Sequence, residues 1–442
     1  MQEIKNIKIE KAVYNGYGLA HANNKTILIE NVLPADIVDV RIYKDKKKVR
    51  FAKPTKFRRK SRHHIPIKCN SFGKCGGCNW LNAKYESQLE FKQCITAEIF
   101  NKIDPQKIEN IQASPEIYNY RNKSFLPVSE KLSEPIFGMF AKETHSVITH
   151  EHCYLHPNIF EEIALNVLNY IKSEKIDIYD EKSHKGNLRH IGFRISANKK
   201  ELLLILVTKN KKLPRIKEFT KLIRAKFPII KGIIQNINKA KTNKILGNKE
   251  KIHYGKPFFK ETINEKVYKI NYKSFLQINT KLTEKLYDYV LSNIESGTRL
   301  IDAFSGIGTI GISLADKCKK IIFIEYSSKA CADTVENCKF NQIPDEKYLI
   351  MNGKVENKIN EAIRHQPETI IFDPPRKGID KKTLESVMNK AIPKIIYISC
   401  NPMTQARDIK ILQTKYNLEK IKPFDMFPQT YHIENVAILK LK

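Results

Sequence analysis

The sequence predicts an α/β protein in three parts: a small N-terminal β-barrel, a central α+β region and a C-terminal doubly wound parallel sheet. Three observations carry that expectation. From about residue 275, strand and helix patterns alternate in the regular rhythm of βαβ units. The first 50 or so residues instead hold short alternating runs at 4–9, 26–29 and 37–43. These are punctuated by Asn15-Gly16-Tyr17-Gly18 and Leu33-Pro34-Ala35-Asp36, as in a small OB-like barrel. Between the two, strand candidates at 124–128, 136–140, 189–196 and 202–208 mix with helical patterns at 157–173 and 213–227. A chain of 442 residues, at roughly 150 per domain, has room for about three cores. There is no internal repeat and no low-complexity linker.

Composition narrows the partners. The chain carries 78 Lys plus Arg against 47 Asp plus Glu, a formal net charge of +31. Such a surplus on a folded protein points to a polyanion, and inside a cell that means nucleic acid. The densest stretch is 41–62, with twelve basic residues, the single acid Asp45, and Tyr43, Phe51 and Phe57 interleaved. Phosphate contacts with stacking platforms suit single-stranded nucleic acid. No apolar run approaches the roughly 20 residues of a membrane span. The first ten residues lack a signal-peptide core. A cytoplasmic, monomeric protein with no membrane association is therefore expected.

In the C-terminal part the expected order is helix 281–294, strand 299–302, helix 310–317, strand 320–325 and helix 328–341. Strands 348–352 and 369–373, helix 381–390, strand 394–399 and helix 403–416 follow. Ligands of such sheets bind beyond the carboxyl ends of the strands. Four loops converge there. Asp302 runs into Ala303-Phe304-Ser305-Gly306-Ile307-Gly308, where glycines let backbone approach a ligand. Glu325, 23 residues after Asp302, ends the next strand, where an acid binds ribose hydroxyls. Asp373-Pro374-Pro375-Arg376 forms a stiff turn. Cys400-Asn401-Pro402 places a cysteine just before a helix, whose dipole is expected to lower the thiol pKa. Cys318, Cys331 and Cys338, and Cys94 within the expected helix 85–103, read as packing cysteines.

The remaining cysteines cluster. Cys69-x5-Cys75-Gly76-Gly77-Cys78 brings three thiols into one loop, with Cys153 the natural fourth ligand and His152 or His156 as substitutes. A cytosolic chain with nine unevenly spaced cysteines is not a disulfide framework. Structural zinc and an iron–sulfur cluster both favour such a set.

Four motifs in order, Asp302–Gly308, Asp373-Pro374-Pro375-Arg376, Ser399-Cys400-Asn401-Pro402 and Phe427-Pro428-Gln429-Thr430-Tyr431-His432-Ile433-Glu434, resemble the RNA uracil-5-methyltransferase family, which uses S-adenosylmethionine. Ser274-Phe275-Leu276-Gln277-Ile278-Asn279 resembles the segment that precedes its catalytic fold. Gly16-Tyr17-Gly18-Leu19-Ala20 and Leu33-Pro34-Ala35-Asp36 resemble a TRAM domain, a small RNA-binding barrel. The resemblance implies a TRAM barrel over 1–60, a central domain with an iron–sulfur loop over 61–273, and a Rossmann-like class I methyltransferase domain over 274–442.

It also implies roles. Cys400 would be the nucleophile that adds to uracil C6, and Glu434 the base that removes the C5 proton, with His432 orienting a neighbour. Gln277, Phe304, Glu325 and Asp373 fall on S-adenosylmethionine-binding positions, and no ligand is carried over from 352–354. Ser305 stands where the family commonly has Cys. Cys69, Cys75, Cys78 and Cys153 match the [4Fe-4S] ligands of the branch that methylates 23S rRNA. The implied activity is methylation of uridine C5 in 23S rRNA. The alternatives are a tRNA uracil-5-methyltransferase and a non-catalytic iron–sulfur RNA-binding or ribosome-assembly protein. Amino-methyltransferases place an aromatic where Arg376 stands, cytosine-5 enzymes need an Asp-Ala-Pro turn, and deaminases need their zinc motifs in the reverse order.

Overall fold

The computed structural model describes residues 2–442, which form two compact units. One comprises the chain up to Lys68, Cys78–Pro115 and Lys281–Lys442. The other comprises Cys69–Gly77 and Glu116–Thr280. Among the described residues, no helix is long and apolar enough to cross a membrane.

In the first unit the N-terminal strands form a six-stranded sheet. Its order is Glu3–Lys8, Ile37–Asp45, Val49–Arg59, Lys25–Ile29, Gly18–Ala22 and Lys11–Ala12. Alternation does the work expected of it: Ile27, Ile29, Val38, Val40 and Ala52 are fully buried inside. Most of the basic stretch lies within the barrel, on its two longest strands and the turn that joins them, and does not follow it as a tail. Lys44, Lys46, Lys47, Lys48, Lys53 and Lys56 all point outward.

Helix Tyr85–Phe100 buries Gln88, Phe91, Lys92, Ile95 and Thr96 on one face. Cys94 is on the other face and is exposed, so the reading of it as a packing cysteine is corrected: helical periodicity turns it away from the Phe91–Ile95 stripe. Cys318, Cys331 and Cys338 are buried as expected.

The C-terminal sheet has seven strands in the order Tyr348–Asn352, Cys318–Glu325, Thr298–Ala303, Thr369–Phe372, Lys394–Ser399, Glu434–Leu441 and Tyr416–Phe424. The first five run parallel. Glu434–Leu441 inserts antiparallel to Lys394–Ser399 and pairs with Tyr416–Phe424. The direction in which successive strands are added to the sheet switches between Thr298–Ala303 and its parallel neighbour Thr369–Phe372, so a ligand crevice opens at their carboxyl ends. Two expected helices are shorter. Thr309–Ser313 stops early because the next strand already begins at Cys318. Helix Pro402–Leu412 ends before Tyr416, where alternating burial of Tyr416 and Leu418 marks a strand instead. Helix Val355–Ile363 and strand Glu434–Leu441 were not foreseen.

The second unit is built on a six-stranded sheet. Its order is Lys249–Gly255, Ile230–Ile237, Leu202–Thr208, Leu188–Ile195, Lys123–Lys131 and Glu134–Phe137. Helices Ile159–Ser173 and Ile216–Lys226 share an apolar core with it through Phe160, Val167, Phe193, Leu204 and Phe219.

Candidate active site

The Gly-rich turn after Thr298–Ala303 is fixed at both ends. Phe304 adopts φ of 63° and Gly306 φ of 57°. The Ser305 amide donates to Ile324 O (3.1 Å), and the Gly306 amide donates to Glu325 Oε2 (3.0 Å). Glu325 Oε1 accepts from the Ser327 amide (2.7 Å), so this carboxylate braces the turn and the helix start beside it. Ser305 Oγ is buried without a hydrogen bond, in keeping with a turn formed by backbone alone. Asp302 is fully buried and accepts from the Gly311 amide (2.9 Å). Burial, with the charges of Asp373 and Glu325 adding to it, pushes its carboxyl up to about 7. Phe304, Glu325 and Asp373 thus lie at the carboxyl ends of three neighbouring strands, around the direction switch.

Cys400 directly follows the next strand, Lys394–Ser399. Ser399 pairs with Asn435, so one further step of the antiparallel register sets Cys400 against Glu434. Burial pushes the Cys400 thiol up to about 11, with Glu434 and Asp373 raising it further and Arg376 opposing them. The expected lowering by the helix dipole does not occur. Helix Pro402–Leu412 spends its N-terminus on its own cap, Asn401 Oδ1 accepting from the Met403 amide (3.2 Å), while carboxylates crowd the thiol. Glu434 is buried, and desolvation plus the Asp373 charge hold its carboxyl well above the usual range. Its Oε1 has no hydrogen-bond partner among the described residues. A buried carboxylate atom left open beside a half-buried thiol is poised to exchange a proton with a ligand.

Arg376 ties the elements together. Its carbonyl accepts from Asn401 Nδ2 (2.9 Å) and Thr404 Oγ1 (3.3 Å), locking the Pro-Pro turn to the cysteine loop. Its guanidinium lies 3.5 Å from His432 Nδ1. The His432 ring lies tilted against Tyr431, with centroids 4.2 Å apart, and sits edge-on to Phe427.

Sequence reasoning missed the scaffold under this loop. Helix Tyr85–Phe100 holds it from below: Lys92 makes a buried ion pair with Asp425 and donates to Phe427 O (3.1 Å). Gln88 exchanges two hydrogen bonds with Gln429, which adopts φ of 68°, and the amides of Asn79 and Trp80 donate to the Gln429 carbonyl. The available signal was polar Gln88 and Lys92, four apart, on the same face as Phe91 and Ile95.

In the second unit, Gln277 is buried, and its carbonyl accepts from Asn122 Nδ2 (2.9 Å). The cysteine loop is pinned where the Gly76 amide donates to Phe140 O (3.0 Å) and the Gly77 amide to Cys75 Sγ (3.3 Å). Burial raises the Cys75 thiol, and the charges of Cys153 and Cys69 add to that. Cys75 is therefore near enough to Cys69 and to Cys153 to be repelled by either as a thiolate, the crowding a cationic metal centre relieves. Burial opposes ionisation of Cys153, but the charge and hydrogen bond of His156 bring its thiol down to about 7. His150, Cys153 and His156 also present donor atoms within 4.8 Å of one another. Glu161 already engages that trio: its Oε1 lies 3.1 Å from His156 Nε2 and accepts from the Cys153 amide (2.7 Å). Cys78 follows this loop in sequence and belongs to the first unit.

On the barrel, Tyr43 is 43% exposed, with Lys53 Nζ 5.5 Å from its ring, and Lys44 and Lys46 lie over Phe51. Phe57 instead packs against the barrel core, so Tyr43 and Phe51 are the better stacking platforms of the three.

The comparisons with known proteins agree with this geometry. The tRNA (uracil-5-)-methyltransferase family model matches residues 84–442, and the TRAM domain model matches residues 2–55. An uncharacterized RNA methyltransferase of Fusobacterium nucleatum is 34% identical, covering 100% of this chain and 97% of its own. Another, from Oceanobacillus iheyensis, is also 34% identical with the same coverage. The crystal structure of Pyrococcus abyssi tRNA (uracil-54, C5)-methyltransferase in complex with S-adenosyl-L-homocysteine superposes with a TM-score of 0.79 at 25% identity. It covers 98% of this chain and 100% of its own.

Proposed function

Since the chain belongs to the RNA uracil-5-methyltransferase family, with an N-terminal TRAM domain, we propose that it moves a methyl group from S-adenosylmethionine to C5 of a uridine in 23S rRNA. The observation that carries this reading is the register that sets half-buried Cys400 against buried Glu434 at the rim of the crevice.

The chemistry needs that pair. Uracil C5 is too weak a nucleophile to attack a methylsulfonium directly. Addition of the Cys400 thiolate to C6 shifts the ring's π electrons towards the C4 carbonyl oxygen and makes C5 carbanion-like. C5 then takes the methyl group, and the sulfonium leaves as S-adenosylhomocysteine. Glu434 removes the C5 proton, the C5–C6 double bond re-forms, and the electron pair of the S–C6 bond returns to Cys400. The raised Glu434 carboxyl binds the abstracted proton more tightly than an ordinary carboxylate would. Arg376 offsets the negative charge that gathers on the thiol and the carboxylates. Phe304, Glu325 and Asp373 are assigned to the cofactor, with Gln277 added on sequence grounds.

The [4Fe-4S] cluster is assigned to Cys69, Cys75, Cys78 and Cys153. The crowding of Cys75 by Cys69 and Cys153 supports this, and so does the prior engagement of His150 and His156 by Glu161. In this reading the cluster shapes the RNA-binding surface.

A tRNA substrate is the second reading. It is favoured by the Pyrococcus abyssi tRNA enzyme, which covers 98% of this chain, so a barrel does not mark the rRNA branch alone. Tritium release from C5-labelled uridine tests both readings, with 23S rRNA and bulk tRNA offered separately. Release from 23S rRNA is expected. Release only from tRNA would move the substrate, and none from either would favour the non-catalytic binding protein.

A further inference from the structure

One turn of the barrel seats against the segment that carries the catalytic loop. Between strands Lys11–Ala12 and Gly18–Ala22, the Val13 amide donates to Tyr17 O (2.9 Å) and the Gly16 amide donates to Val13 O (3.0 Å). Gly16 adopts φ of 78°, and a Cβ there would lie 2.9 Å from the Asn79 side chain, so the turn seats tightly on that segment. The Asn79 amide in turn donates to Gln429 O, within the loop that ends at Glu434. Ala12 and Leu33 of the barrel share one apolar cluster with Trp80, Phe91, Ile95 and Ile433. Tyr14 and Tyr431 pack on that cluster, rings edge to face with centroids 5.4 Å apart.

Tyr14 is half-buried, and its hydroxyl forms no hydrogen bond among the described residues. The charges of Arg376, Cys400 and Glu434 all bear on it. A tyrosine hydroxyl that is partly desolvated ordinarily finds a partner. One left open against Tyr431 on the catalytic loop, within the electrostatic reach of Cys400 and Glu434, is available to a ligand held there.

Resting on the reading above, we propose that Tyr14 of the barrel is a catalytic residue of methyl transfer, donating a hydrogen bond to the uracil carbonyl oxygen that gathers negative charge as Cys400 adds to C6. Sulfur supplies an electron pair to C6, the ring's π pair moves onto the oxygen, and the Tyr14 O–H stabilises it without losing its proton. Burial, with Tyr431 adding to it, pushes the phenol up to about 12, so it remains a donor throughout the neutral range. A fixed donor aimed at developing charge in a water-poor site acts on the transition state more than on binding. The barrel would then be part of the catalytic site as well as an RNA clamp.

The test uses the full-length, cluster-loaded protein, S-adenosylmethionine with a labelled methyl group, and rRNA from a strain lacking this enzyme. Single-turnover rates are measured at saturating protein for wild type, Tyr14→Phe and Tyr14→Ala, alongside RNA affinity and thermal melting. Tyr14→Phe keeps the ring contact with Tyr431 and loses only the donor. It should slow the step by roughly 10²-fold and leave RNA affinity and melting unchanged. The ratio to wild type should stay constant from pH 6.5 to 9 (about the range over which a phenol stays protonated). Tyr14→Phe at full rate with Tyr14→Ala slow would make the residue a packing element and overturn the proposal. A loss confined to RNA affinity would overturn it too. A wild type that transfers no methyl group to either 23S rRNA or tRNA would instead refute the functional reading, and this inference with it.

Discussion

Glu434 faces Cys400 across antiparallel strands, one register step beyond the Ser399–Asn435 pair; burial and the Glu434 charge make Cys400 harder to ionise, and burial and the Asp373 charge do the same for Glu434. Thirty-three residues separate them in sequence, and only the insertion of Glu434–Leu441 beside Lys394–Ser399 brings them together. Two groups that resist charge in the free protein are suited to exchange protons with a substrate that arrives between them.

That pairing predicts different points of arrest for two variants. Cys400→Ala should bind RNA and cofactor and give neither adduct nor product. Glu434→Gln should methylate and then stall, leaving protein joined to RNA as a shifted band in a denaturing gel. The band should require both S-adenosylmethionine and Cys400. Wild-type turnover by Glu434→Gln would assign the base to another group.

The free thiol should be sluggish. With a pKa pushed to about 11, about one Cys400 in 10⁴ is a thiolate at pH 7, and the fraction rises about tenfold per pH unit up to that value. Alkylation of Cys400 by iodoacetamide, followed by mass spectrometry, should therefore climb steadily from pH 7 to 10. Glu434→Gln removes a negative charge that raises this pKa, so alkylation at pH 8 should quicken.

Asp302 makes stability depend on pH. Its folded pKa of about 7 lies above the ordinary 3.8, so the folded state binds the proton more tightly than the unfolded one. Its contribution is then fully present below about pH 4 and is lost as pH rises through about 7, a change on the order of a few kcal/mol. Asp302→Asn keeps an acceptor for the Gly311 amide and carries no charge. Its urea midpoint, relative to wild type, should improve progressively between about pH 4 and pH 7. A constant difference across that range would show that Asp302 does not titrate there.

The buried Lys92–Asp425 pair should behave asymmetrically. Lys92→Met leaves an unpaired buried carboxylate and should cost about 3–5 kcal/mol. Adding Asp425→Leu should recover much of that, because replacing both charges removes the uncompensated one. Denaturant midpoints of the two variants provide the check, and equal loss in both would contradict it.

RNA affinity should lose salt dependence when Lys46, Lys47 and Lys48 are changed together to Ala. The slope of log affinity against log salt should fall by about 0.7–0.9 for each phosphate contact removed. Point changes serve better here than deleting the barrel, since Ala12 and Leu33 share a core with Phe91 and Ile433. An unchanged slope would mean these lysines only solvate the surface.

The sequence by itself determined the strand–helix alternation of the C-terminal part, the barrel, and the residues at strand ends. Each of these is written in local patterns: period-two runs such as 37–43, glycines at tight turns, and acids at the ends of apolar strands. It also named Cys400, Glu434, Phe304, Glu325 and Asp373 before any of them had a position. It did not determine where those side chains stand in energy. The helix dipole expected to activate Cys400 is outweighed by burial and by the Glu434 and Asp373 charges, which arise from strand pairing and sheet order. Nor did it reveal that Gln88, Lys92 and Tyr14, far upstream in the chain, support or line the loop that carries Glu434. Local propensity fixes which element a residue joins, whereas desolvation and charge depend on every neighbour packed around it, and only tertiary structure chooses those neighbours.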